Sequence, residues 1–297
     1  MSPNMRGAVL MMASMAAFTF NDACLKALSD EVPLFQAILL RGAGTTVILL
    51  AMAWYGGAFK VQIERHDRWL VMLRTGAEVA ASYLFITALF HMPLANISAI
   101  LQALPLTVTL ASALVFREAV GWRRLSAILV GFAGVLLIVQ PGEEGFNFYS
   151  IYAIAAVLVV TFRDLAARRL SQDVPSLSVA LAASIGVTLF GALGTVGGDW
   201  VAVSPKAAAQ LGGATLFIVG GYLFSVMAMR VGEIGFVAPF RYTSLLVALV
   251  LGFVAFGDWP DNLTLIGAGV VVATGVFTLY RERRLARSTG PVPLRSR

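Results

Sequence analysis

A fifteen-residue pattern occurs twice in this chain, and any fold has to accommodate both copies. Residues 19–33 read TFNDACLKALSDEVP and residues 161–175 read TFRDLAARRLSQDVP, 142 positions apart. The shared pattern is T-F-x-D-x3-[KR]-x-L-S-x-[DE]-V-P. Apolar helices resemble one another through composition alone, but here the matches are polar: the Asp, the Lys or Arg, and the S-x-[DE]-V-P turn. Two more correspondences follow in order. Tyr83-Leu84-Phe85 matches Tyr222-Leu223-Phe224, and the turn Phe116-Arg117-Glu118 matches Phe256-Gly257-Asp258.

The material between the copies is apolar at membrane length. Hydrophobic residues make up 59% of the chain and charged residues only 13%, against roughly a quarter charged in a soluble domain. A bilayer core about 30 Å thick takes roughly 20 apolar residues per helix. Ten such segments fall near 7–28, 34–55, 69–91, 95–116, 123–140, 148–166, 176–197, 207–229, 235–256 and 262–280. We therefore expect an all-α integral membrane protein with ten transmembrane helices. The first segment reads as a span, not a cleaved signal peptide, because the chain continues in the same vein. Cys24 is the single cysteine, which rules out an intrachain disulfide. Two histidines without a cysteine partner make a poor metal set.

Charge orients the bundle. With both termini in the cytoplasm, the inner segments collect seventeen of the 22 basic residues. Among them are Arg65 and Arg68, Arg163, Arg168 and Arg169, and six arginines from Arg281 onward. The outer loops hold Lys206 alone, as the positive-inside rule requires. Lys26, Arg41, Arg74 and Arg241 remain inside helices. The basic excess thus orients the chain in a membrane. Binding of nucleic acid would need a basic face interleaved with accessible aromatics, and none is present.

Each unit contains five helices, an odd number, so the second copy enters the membrane upside down. The expected organisation is residues 1–141 as the first five-helix repeat, 142–280 as the second, inverted repeat, and 281–297 as a basic, disordered cytoplasmic tail. Inverted repeats provide two near-equivalent arrangements open to opposite sides, with a ligand site between the halves. That architecture points to a transporter working by alternating access, with helices 3, 4, 8 and 9 rocking against 1 and 6.

The five-plus-five repeat, with each fourth helix ending in an F-x-[ED] turn, resembles the EamA/RhaT branch of the drug/metabolite transporter superfamily. The stretch from Ala238 through Pro239, Phe240, Arg241, Tyr242 and Ser244 to the Phe256-Gly257-Asp258 turn resembles that family's ninth helix and following turn. The resemblance covers about residues 7–280 and is closest to YddG-type amino-acid exporters. Asp258 stands where the family usually has Glu, which keeps the charge. The resemblance implies a bacterial inner-membrane exporter of amino acids, aromatic and other neutral ones of broad range. A same-fold importer of another metabolite, nucleoside-like, S-adenosylmethionine or a vitamin, shares every feature quoted. A non-transport membrane protein is a remoter alternative. No G-x-x-x-x-G-K-[ST] loop provides an ATP site, no catalytic cluster is present, and no cofactor is expected.

Intramembrane ionisable groups usually face a cavity or a partner. Glu78 lies roughly 13 Å along its helix from Trp69, near the midplane, with Arg74 four residues before it on the same face. Glu78 is also the best candidate for a proton site. Asp22 and Lys26 form a second four-residue pair, with Lys26 and Arg74 long enough to snorkel instead. Arg41 and Arg241 have no acid within a turn and bias the interior positive, which suits a carboxylate. Their alternative partners are helix-end carbonyls, an acid on another helix, or lipid phosphate. Small neighbours of Arg241 (Ala238, Ser244, Ala248 and Gly252) leave room for a ligand. The fourth helix carries a polar stripe of Ser98, Gln102, Thr109 and Ser112, which either lines the cavity or joins helices. Tyr83, Tyr222 and Tyr242 lie too deep for an interfacial belt. Tyr83 sits about 140° round its helix from Glu78, so one compact site does not readily see both. Pro105 and Pro239 are expected to kink helices four and nine as gates, and the five tryptophans near helix ends read as belt residues. The candidate substrate set is therefore Arg41, Glu78, Tyr83, Ser98, Gln102, Tyr222, Arg241 and Tyr242. The expected partners are a small solute of the amino-acid type and membrane lipid. Ala127/Gly131 in helix five and Gly269/Ala273 in helix ten fit the small-xxx-small pattern, either joining these helices to each other or forming a homodimer.

Overall fold

The structure, a computed structural model, describes residues 1–56, 64–116, 121–141, 147–171, 173–198 and 200–288. The Arg117-Glu118 turn and the tail beyond Ser288 lie outside the described residues. Helices account for the regular structure of the described residues: α1 (Pro3–Lys26), α2 (Leu34–Tyr55), α3 (Arg65–His91), α4 (Leu94–Leu101), α5 (Leu104–Phe116), α6 (Trp122–Val139), α7 (Tyr149–Ala167), α8 (Ser176–Gly194), α9 (Pro205–Val231), α10 (Ile234–Val237), α11 (Thr243–Phe256) and α12 (Asn262–Ser288), with a 3-10 turn over Ala238–Tyr242. Among the described residues nine helical segments are long and apolar enough to cross a membrane, and Leu125–Val139 within α6 adds a shorter apolar one. Counting α4–α5 and α10–α11 as one span each, ten apolar segments form an all-α membrane protein.

The helix boundaries follow from local chemistry. Ser2 and Ser204 cap α1 and α9 by accepting from Met5 N at 3.3 Å and Ala207 N at 3.1 Å, each with proline as the first helical residue. Pro33 and Pro175, the last residues of the repeated pattern, stand at the N-caps of α2 and α8. Gly257 ends α11 at φ 71°, and Asp258 N donates to Gly252 O at 3.0 Å. A glycine takes this left-handed conformation without a Cβ clash. Trp54, Trp69, Trp122, Trp200 and Trp259 are all exposed.

The fourth and ninth spans are interrupted. Sequence analysis expects continuous helices kinked at Pro105 and Pro239. Instead, α4 stops at Leu101 and α5 begins at Leu104, while α10 gives way to the 3-10 turn containing Pro239. The break precedes Pro105 because proline disfavours helical geometry at the residue before it and supplies no N–H for the next turn. The chain tightens instead: Ala103 N donates to Ile100 O at 3.0 Å. The two spans correspond as wholes, since α4 and α10 start 140 residues apart and α5 and α11 end 140 apart, but α10 gives way four residues earlier in its span than α4 does.

Packing relates the halves by a pseudo-two-fold axis. The most extensive interfaces are α1–α9, α2–α8, α6–α12 and α3–α7. Exchanging α1 with α7 and α3 with α9 turns the first interface into the last, while α2–α8 and α6–α12 map onto themselves. At the α2–α8 crossing the Thr46 and Thr188 hydroxyls, which are repeat equivalents, lie 3.1 Å apart. Gly42 makes this approach possible, because a Cβ there would come within 2.7 Å of Thr188 Oγ1. At the α6–α12 crossing, Cβ atoms on Gly134 and Gly267 would come within 2.9 and 2.5 Å of each other's helix carbonyl. The glycines of these helices are thus absorbed within the chain, whereas Gly269 has nothing within 4 Å and Ala273 is exposed.

Candidate functional site

A cavity of about 330 Å³ opens between the halves. Its wall runs from mid-bundle at Arg41 and Val187 to the end where α2, α7 and α9 finish and α3 and α8 begin, at Leu49, Arg163, Ala180 and Ser225. Four guanidinium groups line it: Arg41 from α2, Arg74 from α3, Arg163 from α7 and Arg241 from the 3-10 turn of the ninth span. Glu78 is the single carboxylate among the described lining residues.

The charges are unequally compensated. Arg163 Nη1 sits 3.2 Å from both Glu78 oxygens, and Arg74 Nη2 lies 3.6 Å from Oε2. Arg163 also donates to Asp164 Oδ1 through Nη2 at 2.8 Å and Nε at 3.0 Å. Among the described residues Arg41, 8% exposed, hydrogen-bonds through its side chain only to an amide: its Nη1 donates to Asn21 Oδ1 at 3.4 Å, and Asn21 Nδ2 donates to Asp22 Oδ1 at 2.8 Å. Arg41 Nε and Arg74 Nη1 are buried without a partner among the described atoms. Tyr222 also lines the cavity, with its hydroxyl donating to Ser176 O at 2.9 Å.

Of the eight substrate candidates, the cavity gathers Arg41, Glu78, Tyr222 and Arg241. Tyr83 lies in an aromatic cluster with Phe35 and Phe190, at centroid distances of 6.0 and 5.8 Å. Ser98 and Gln102 are buried in the fourth span, where Gln102 Nε2 donates to Ser244 Oγ at 2.8 Å and so joins the two interrupted spans. Tyr242 is buried with its ring in the space that a Cβ on Gly275 of α12 would need. Pro105 and Pro239 sit at the breaks.

Two basic side chains find partners that lie far from them in sequence. Lys26 does not close on Asp22; its Nζ donates to the carbonyls of Met92 at 2.7 Å and Leu89 at 3.4 Å. Those carbonyls are exposed by the end of α3, and an ammonium on a flexible stem serves them without the cost of burying an ion pair. Arg163, counted by its charge with the inner segments, lies in α7, which runs on to Ala167 and carries it into the cavity wall. The signal available in sequence was its alignment with intramembrane Asn21, beside an acid repeated in both halves.

At the other end of the bundle, side chains tie the helices together. Besides Lys26, Gln36 Nε2 donates to Val201 O at 2.8 Å and Gln36 Oε1 accepts from Val201 N at 3.1 Å. Glu31 accepts from Lys206 Nζ and Ser204 Oγ, both at 3.0 Å, and these bonds hold its carboxyl below the usual carboxylate range. Here α1 and α3 pack together, whereas the image pair α7 and α9 makes no comparable contact among the described residues. These contacts join the helices at one end of the bundle, while the arginine-lined cavity lies towards the other.

Comparison with known proteins agrees with this architecture. The S-adenosylmethionine uptake transporter of Rickettsia prowazekii is 22% identical over 283 residues, spanning 94% of each chain. The pseudopaline exporter CntI of Pseudomonas aeruginosa is 27% identical over 293 residues, 93% of this chain and 96% of that one. A riboflavin transporter of Vibrio cholerae is 27% identical over 225 residues, 73% of each chain. A solved crystal structure superposes with a TM-score of 0.67 at 17% identity, over 94% of this chain and 98% of that one, which shows a common fold. The pattern of the EamA-like transporter family matches twice, at residues 5–140 and 147–280. The chain is therefore a multi-pass membrane protein that belongs to the EamA-like transporter family, whose members in bacteria sit in the inner membrane.

Proposed function

We propose that this protein is a secondary transporter that exports amino-acid-class solutes by alternating access through the arginine-lined cavity. The observation that carries the reading is the excess of guanidinium groups over carboxylates among the described lining residues, Arg41, Arg74, Arg163 and Arg241 against Glu78. A guanidinium matches a carboxylate in bidentate geometry, and an anionic group on the solute supplies the charge compensation that the wall lacks. With both termini cytoplasmic, the cavity faces the cytoplasm, the loading side for an exporter. Arg41, Glu78, Tyr222 and Arg241 touch the solute in this reading. Ser98, Gln102 and Tyr242 stabilise the interrupted spans, Tyr83 packs beside the tied end, and Pro105 and Pro239 provide the flexible points.

The relatives named for S-adenosylmethionine and riboflavin support a second reading, uptake of a larger metabolite. S-adenosylmethionine carries a sulfonium cation, which a wall of four arginines and one glutamate disfavours. The outward-facing Gly269 and Ala273 surface of α12 is the face on which a homodimer would form.

Uptake by purified protein in liposomes tests the first reading, with labelled amino acids offered with and without a pH gradient. Accumulation of amino acids above empty liposomes is expected. Flat traces for every amino acid, with uptake of S-adenosylmethionine or riboflavin, would replace it with the second.

A further inference from the structure

A second concavity lies on the outside of the bundle. It is a groove of about 580 Å³ between α3 and α7, and Trp69, Met72, Leu158 and Phe162 are among its apolar lining. These four side chains are all exposed. Gly76 of α3 lines the groove as well, about 160° round the helix from both Arg74 and Glu78. Helix α3 therefore presents one face to the arginine-lined cavity and the opposite face to the groove. Glycine in a helix interior is unfavourable unless a close neighbour needs the missing side chain. Apart from its own helix, nothing described lies within 4 Å of where a Cβ on Gly76 would stand. Packing within the chain does not account for this glycine, and the space is open to an occupant from outside. Depth and charge identify that occupant. From Trp69 to Ala77 the groove runs about 12 Å along α3, most of one leaflet's share of a hydrocarbon core about 30 Å thick. Arg65, four residues before Trp69, begins α3 on the same face. It is exposed and has no hydrogen bond or ion pair among the described residues. The surface is thus basic at the membrane boundary and apolar below it, in the order of a phospholipid's headgroup and chain. A second copy seated here about a two-fold axis would instead bring two Arg65 guanidinium groups to the same level of one interface.

We infer that the α3–α7 groove is a phospholipid site, with an acyl chain between the two helices and an anionic headgroup on Arg65. With both termini cytoplasmic, the lipid belongs to the inner leaflet, where basic positions beside membrane helices recruit anionic headgroups. The site does not depend on which solute is carried. Arg74, Glu78 and Arg163 stand in the cavity wall on these same two helices, so the chain in the groove fills the space behind that wall.

The test is native mass spectrometry of the full-length protein, released from micelles that carry equal amounts of phosphatidylglycerol and phosphatidylcholine with the same chains. Retained phosphatidylglycerol is expected to exceed phosphatidylcholine about tenfold or more. Gly76→Leu, whose side chain enters open space, is expected to lose the retained lipid. Arg65→Gln is expected to keep a lipid but lose the headgroup preference. Gly269→Leu, in open space on α12, should retain lipid as the parent does. Trp69 fluorescence, read as the difference between the parent and Trp69→Phe, gives a measurement that does not depend on filling the groove. Phosphatidylglycerol with brominated chains should quench it at a lower fraction than brominated phosphatidylcholine. Equal retention of both lipids by the parent, equal quenching by both, or retention by Gly76→Leu equal to the parent's overturns the inference. So does a parent dimer that Gly76→Leu converts to monomer, which gives the groove to a second copy. None of these outcomes bears on amino-acid transport, which the uptake assay decides separately.

Discussion

Replacing Glu78 by Gln removes the carboxylate that two guanidinium groups share. At 3.2 Å from Arg163 and 3.6 Å from Arg74, each pair is worth about 5 kcal/mol at an effective dielectric near 20 and about 1 kcal/mol in water. The side chains of Glu78 and Arg163 are 24% and 23% exposed, so cavity water screens part of the attraction. Breaking a fully buried pair costs about 3–5 kcal/mol, and the screened loss here is set at about 2–3 kcal/mol. At roughly 2–4 °C per kcal/mol for a chain of this class, melting falls by about 5–10 °C. The assay is thermal unfolding of the detergent-purified protein at low and high salt. A charge-balanced control sharpens it: Glu78→Gln combined with Arg74→Gln leaves the Arg163–Asp164 pair intact and is expected to recover at least half of the loss. Melting of Glu78→Gln unchanged from the parent, or a double variant equal to the sum of the singles within about 0.5 kcal/mol, would refute the shared counter-ion.

Lys26→Gln removes a charged donor worth about 1.5–3 kcal/mol from the carbonyls of Leu89 and Met92. Labelling of half-buried Cys24 by a membrane-impermeant maleimide is expected to rise about tenfold or more, and an unchanged rate would show that Lys26 does not hold that end shut. Gly267→Val drives a side chain into the Gly134 carbonyl and is expected to cost about 1–3 kcal/mol by overpacking, whereas Gly269→Val, with open space around it, stays within about 0.5 kcal/mol of the parent. Equal melting of these two variants contradicts the α6–α12 packing. The Glu31 carboxyl is held below its ordinary value of 4.5 by its bonds to Lys206 and Ser204. Its contribution to closure is therefore complete above 4.5 and is lost as pH falls through the lower folded value. Cys24 labelling in the parent should rise over that acidic window, and in Glu31→Gln it should already be raised at neutral pH.

The spans were legible because apolar length and the proline that ends each copy of the repeat are local properties. Pro33 and Pro175 mark the starts of α2 and α8 to the residue. Cavity membership was legible where an intramembrane charge had no acid within a turn, as at Arg41 and Arg241, and where one fell near the midplane, as at Glu78. It failed at Arg163, because a cation one turn from a helix end can either reach the surface or turn inward. The carboxylate that turns it inward is 85 residues away in sequence. Likewise the stripe of Ser98 and Gln102 shows that the fourth span must satisfy polar groups, but not that Ser244 of the ninth does so. The breaks in both spans were visible as prolines, while their position depended on which carbonyls the preceding turn recruits.

The contact between Thr46 and Thr188 joins repeat-equivalent atoms, so it marks a place that the pseudo-two-fold operation leaves where it is. An operation that exchanges the two ends of the bundle moves every point in proportion to its distance from that axis. Arg41 and Gly42 sit within about one helical turn of it, beside the same crossing. In such an exchange the bound solute stays nearly stationary at the fulcrum, and it is the permeability barrier that travels past it from one side to the other.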